Sequence, residues 1–271
     1  MAEGAARGRN PYLALVGSRV RSQLAYRSSF AVSVLGDVGF GLAELATVYV
    51  VFAHVQALGG LTAWQAGLVF AVANLGFAVA DLLTGHVDHL PQFLRTGELD
   101  AFLLRPAPVL AQLLTCDVSL RRVGRAGLAL AVLLVVLPRA GVDWTVGRAL
   151  LLASAPLTGA AVFAALFVLA GALQFWLVEG REVVNSFTYG GGFAAQFPAS
   201  AYGSGLRVLF TYVVPAAATA YLPVLAVLGE PGPAWTPAWL GWCGPLFAAA
   251  SWAVALLVWR AGLRRYTGAG S

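Results

Sequence analysis

The sequence predicts an all-α polytopic membrane protein with six transmembrane helices, on three observations. Apolar residues make up 59% of the 271 and charged residues 11%, against roughly 45–50% and about 25% in soluble domains. Apolar runs recur from Phe30 to Trp259, and about 20 such residues suffice for one helical span. No polar stretch between them is large enough for a separate globular unit, so 1–271 reads as one membrane domain.

Each element has its own signal. From Tyr12 to Arg27, Leu13, Val16, Val20 and Leu24 recur on one face while Ser18, Arg21 and Ser22 hold another. This period predicts an amphipathic helix lying on the membrane surface over 12–29. Arg7 and Arg9 are not followed by a short apolar core with a cleavage site, so no cleavable signal peptide is expected. Spans are predicted at 30–53 and 64–84, paired as an antiparallel hairpin across Gly59-Gly60. The connection 85–124 is the longest hydrophilic one. A third span follows over 124–142, a break at Asp143 to Arg148, and a fourth span over 149–177. The fifth, 183–202, carries Gly190-Gly191-Gly192, where each glycine weakens a helix by roughly 1 kcal/mol relative to alanine, and a broken helix is expected. Pro215 and Pro223 interrupt 206–228, so 203–238 is predicted as a re-entrant or interfacial hairpin with its loop. The sixth span covers 239–259 and ends in Arg260, Arg264 and Arg265.

With this layout both termini share one side. Arg7, Arg9, Arg19, Arg21, Arg27, Arg95, Arg105, Arg121, Arg122, Arg125, Arg181, Arg260, Arg264 and Arg265 fall on it, and only Arg139, Arg148 and Arg207 on the other. The excess of positive charge places both termini and the charged connection in the cytoplasm. The net charge of +5 follows membrane topology and needs no nucleic acid; anionic lipid headgroups are the expected counter-charge.

All 17 basic residues are arginine. Without lysine the chain cannot form a Walker A loop or a Schiff base. It contains no G-x-S-x-G, H-E-x-x-H or G-x-G-x-x-G pattern, and the glycine triplet reads as a hinge or packing site. Cys116 and Cys243 are far apart and read as buried free thiols. His86, Asp88 and His89 lack the ligand count that zinc requires. No cofactor and no metal is therefore expected in this chain.

Four polar residues inside the spans are candidates for a translocation pathway. An aspartate at a helix centre costs about 2.5–3.5 kcal/mol on insertion scales, which singles out Asp37 and Glu44 on the first span. Asn74 and Asp81 repeat their seven-residue spacing on the second. Each pair shares one helix face, and the two polar faces are expected to meet inside the bundle or to serve packing.

The connection carries the second candidate site. Residues 90–108 read LPQFLRTGELDAFLLRPAP, with Phe93, Leu94, Leu99, Phe102, Leu103 and Leu104 interleaved with charge. Half-apolar surface outside the membrane calls for a protein partner.

Three features together resemble the permease family of type-2 ABC exporters over nearly the whole chain. They are the arginine-rich N-terminus with Leu24-Ala25-Tyr26-Arg27, the loop Gly97-Glu98-Leu99-Asp100 with Leu104-Arg105-Pro106, and Phe197-Pro198. The resemblance implies an N-terminal elbow helix, six spans, a cytoplasmic coupling helix between spans two and three, and an outer-side helical hairpin before span six. It also implies a separate ATPase subunit that binds ATP and magnesium, with Leu90, Phe93, Arg95, Glu98, Leu99, Asp100 and Arg105 as the coupling contact. A second permease chain, identical or homologous, is the expected further partner, and the expected cargo, which the resemblance does not specify, is an amphiphilic or apolar solute moved outward across a bacterial inner membrane. The chain itself is then not an enzyme. Two other readings stay open: a membrane-embedded lipid-modifying enzyme using Asp81, His86, Asp88 and His89, and a proton-driven secondary carrier working through Glu44 or Asp37.

Overall fold

The computed structural model describes residues 27–55, 57–116, 122–177 and 181–267. Most of the predicted surface helix at 12–29 lies outside them. Among the described residues the chain is helical, apart from one antiparallel bridge between Leu58 and Leu61.

The long helices are α1 (Arg27–His54), α2 (Ala63–Thr84), α7 (Val146–Leu173) and α12 (Gly244–Arg265). These, with α2 counted on to Thr96, are long and apolar enough to cross a membrane. Two more, α6 (Arg122–Val136) and α8 (Arg181–Ala195), are 15 residues each, about 22 Å at 1.5 Å per residue. Between α2 and α6 lie α3 (Leu90–Thr96), α4 (Glu98–Leu103) and α5 (Val109–Cys116), and between α8 and α12 lie α9 (Ser204–Val208), α10 (Ala216–Thr219) and α11 (Tyr221–Leu228).

Local chemistry sets the helix starts. Thr62 caps α2: its hydroxyl accepts from the Gln65 N–H while the Gln65 side chain accepts from the Thr62 N–H at 2.9 Å, satisfying two donors that the helix cannot use. Thr145 caps α7 with a single such bond, its hydroxyl accepting from the Arg148 N–H at 3.2 Å. Pro245 stands in the first turn of α12, where its missing N–H is not needed. The last helix therefore begins after the short turn Ala238–Trp242, not at 239, and runs on to Arg265.

The centre of the bundle is α2 against α7. At their crossing the Gly76 position faces the Pro156 carbonyl and the Ala160 N–H within 3.3 Å of where a Cβ would stand, and Gly159 faces the Thr219 backbone. Without side chains there, the backbones approach closely. Further along, Phe77 meets Phe163 edge-on at 5.1 Å and Val87 reaches Gly171, so α2 and α7 run in the same direction. Gly244 beside Thr158 and Gly262 beside Phe175 give α12 that direction too. Gly67 beside Val136 and Gly85 beside Arg122 make α6 opposite to α2. Buried residues fill 78% and 72% of the apolar windows of α2 and α7, but only 11% and 17% of those of α1 and α12, which places the first pair inside and the second at the periphery.

Three expectations are corrected. The first two helices do not form a close hairpin: α1 lies along α6, where Gly124 faces Val34 and Gly41 faces Leu128, because the small residues and a charge partner are there. The glycine triplet does not break α8, which is continuous from Arg181 to Ala195; Gly191 fits against Val214 and Gly192 against the Phe77 ring. Cys243 is a free thiol but only half-buried. The proline-interrupted segment is a run of short helices, broken at Pro215 and Ala220, whose α11 is almost wholly buried.

Candidate functional site

Two sets of side chains occupy the end of the bundle at which α2 ends and α6 begins. The first is the charged connection. Leu90 and Leu99 have no solvent exposure; they pack with Val87 and Leu113 on Ala165, Val168 and Ala172 of α7 and on Ala255 and Trp259 of α12. Gly97 joins α3 to α4 at φ 72°, a left-handed conformation that favours glycine. Gln112 closes the loop beyond, its amide donating to the carbonyls of Phe102 at 2.9 Å and Ala107 at 2.8 Å.

The seven coupling candidates therefore divide. Leu90 and Leu99 fasten the segment to the bundle and present nothing outward. Phe93 is half-buried edge-on to Phe102 at 5.8 Å. Asp100 is half-buried and raises the pKa of the Tyr266 phenol, second to the effect of burial. Arg95, Glu98 and Arg105 are exposed, and the Arg105 guanidinium stands 5.7 Å above the Phe102 ring. Beside them Leu103 and Leu104 are 46% and 87% exposed. That apolar tip is edged by Arg95, Glu98 and Arg105.

The second set is a ladder of charge inside the bundle. Arg122 places Nε 3.2 Å from the Asp81 carboxylate and donates from a terminal nitrogen to the Asp81 carbonyl at 2.7 Å. Arg125 donates to both Glu44 oxygens, at 3.1 and 3.0 Å, and its guanidinium stacks on Phe77 at 5.1 Å and Phe40 at 5.8 Å. All four side chains are at most 17% exposed. Tyr189 of α8 donates to Asp88 at 2.7 Å and packs its ring on Phe77 and Phe167. Each of the two buried carboxylates thus has an arginine at ion-pair distance, the compensation that a charge taken out of water needs. Gly85 leaves room beside the ladder, since a Cβ there would displace the Asp81 carboxylate and the Arg122 guanidinium.

The polar faces of the first two spans thus do not meet directly; arginines of α6 stand between them. Asn74 turns back on its own helix, donating to the Phe70 carbonyl at 3.2 Å. Asp37 is half-exposed on α1, with no ion pair among the described residues. Arg122, Arg125, Phe77 and Tyr189 complete the ladder and were not selected from the sequence. The signals were the opposite charge that two intramembrane acids require, and the i, i+4 spacing of Phe77 and Asp81. His86 bonds the Leu113 carbonyl, Asp88 bonds Tyr189, and His89 is exposed. The three do not converge, and no metal-binding group of side chains occurs among the described residues.

Residues 39–270 match a family model described as ABC-2 family transporter protein. Neither the curated proteins nor the solved structures give a match.

Proposed function

The chain belongs to the ABC-2 transporter family, and from that premise we propose that it is the permease of an exporter driven by a separate ATPase. The family makes it a multi-pass membrane component of an ABC transporter, associated with an ATPase subunit. The further steps are our reading. ATP and magnesium bind to the partner, which docks on the tip at Leu103 and Leu104 and contacts Arg95, Glu98 and Arg105. Docking on a segment fastened to α7 and α12 transmits the partner's motion to those helices.

Six crossings are supported by the directions of packing: α2, α7 and α12 run one way, α6 the other, and α1 runs with α6. We place the termini and the coupling segment in the cytoplasm of a bacterial cell, the arginine-poor end outside, and α9 to α11 as a hairpin that re-enters from there. A second permease chain lies against the peripheral helices. The cargo is an amphiphilic or apolar solute. Its route passes the ladder, where Asp81 and Glu44 act through their arginines.

The exposed Leu103-Leu104-Arg105 tip carries this reading. In a pull-down of the tagged chain from its host, an ATP-hydrolysing subunit is expected to co-purify with wild type. Leu104→Asp, which the 87% exposure lets fold normally, is expected to reduce its recovery at least tenfold. Equal recovery in wild type and Leu104→Asp would remove the tip as the docking surface.

A further inference from the structure

At the end of the bundle away from the coupling segment, α1 stands off from α2 and α6 and leaves an apolar groove of about 800 Å3. Its walls include Leu42, Ala46 and Tyr49 of α1, Gly67 of α2, and Val132 and Val136 of α6. The groove lies open along a helix whose apolar window is only 11% buried, so a component of the bilayer can enter it from the side.

We infer that the groove binds one acyl chain of an anionic lipid of the surrounding bilayer, with the lipid phosphate on Arg139. Length, lining and charge agree on that occupant. The α1 wall runs from Leu42 to Ala53, a rise of about 16 Å at 1.5 Å per residue, and one leaflet of hydrocarbon is about 15 Å deep. The lining is almost entirely apolar, as a chain of methylenes requires. Trp64, 46% exposed, is part of the groove lining, and over its ring stands the exposed Arg139 guanidinium, 5.1 Å from its centre. Arg139 has no carboxylate partner among the described residues. One of its nitrogens donates to the Val135 carbonyl, and the rest of its five N–H donors remain for phosphate oxygens. Trp64 is the second residue of α2, the end of a span being where aromatic belts form. A zwitterionic lipid would fill the same groove but would bring an ammonium toward the arginine. The inference does not depend on the transport reading, since it concerns a resident lipid and not cargo.

The test reconstitutes the full chain in nanodiscs of equal parts phosphatidylglycerol and phosphatidylethanolamine, re-extracts it in mild detergent and counts the lipids retained by mass spectrometry. Wild type is expected to hold phosphatidylglycerol about fivefold over phosphatidylethanolamine, the preference one arginine supplies near anionic headgroups. Arg139→Gln, an exposed position, is expected to keep a lipid and lose the preference. Ala46→Trp is expected to fill the groove and lose both lipids at unchanged elution volume. No enrichment in wild type, or enrichment that survives both variants, overturns the proposal.

Discussion

Glu44 and Asp81 sit where a lone carboxylate would be costly, and each is held by one arginine of α6. Removing one member of such a buried pair strands the other charge, at about 3–5 kcal/mol, while removing both costs much less. Glu44→Gln is therefore expected to lower the thermal stability of the detergent-solubilised chain sharply. The double variant with Arg125→Gln is expected to recover most of the loss; a double variant no better than the single would show that the pair does not act as a unit. The acids were legible in the sequence, because charge inside an apolar run stands out. Their partners were not. Arg122 and Arg125 follow a charged loop and read as part of it, and only the fold shows that the first turn of α6 carries them into the bundle. Asn74 looked equally conspicuous, yet its amide is satisfied within its own helix.

At the scale of the elements, the coupling segment is two short helices at an angle fixed by one left-handed residue. Gly97→Ala imposes about 1–2 kcal/mol of backbone strain at φ 72°. It should leave the chain in the membrane at normal abundance while reducing transport-coupled ATP hydrolysis several-fold in the assembled complex. Unchanged hydrolysis would mean that the angle between α3 and α4 is not used. Helix existence was well marked by apolar runs, and the starts of α2 and α7 by Thr62 and Thr145. Helix fate at glycine was not. Gly190-Gly191-Gly192 weakens a helix by propensity, but Val214 and the Phe77 ring fill the space that the missing side chains leave, so tertiary packing overrides the local preference. Likewise Leu90 and Leu99 share the pattern of the exposed Leu103 and Leu104, and sequence periodicity in so short a segment cannot say which of them the bundle covers.

For the molecule as a whole, the packing divides it into a central body and a periphery. The coupling segment shares its core with α7 and α12, with the Cβ of Val87 3.7 Å from where that of Gly171 would be, within the range a disulfide spans. In a chain freed of Cys116 and Cys243, oxidising Val87→Cys with Gly171→Cys is expected to leave ATP-driven transport within about twofold of the reduced protein. Arrest on oxidation, reversed by reductant, would show instead that the segment swings against α7. The alternation of helices was readable from composition and loop length. That α1 leans on α6 was not, because it rests on glycine contacts and an ion pair between segments some eighty residues apart. The ladder has an electrical consequence as well. A single charge crossing the membrane field is worth about 2.3 kcal/mol per 100 mV, but Asp81 with Arg122, and Glu44 with Arg125, each sum to zero. Helices that move while these pairs stay intact carry the four charges through the field without gating charge, leaving the displacement of the pairs insensitive to membrane voltage.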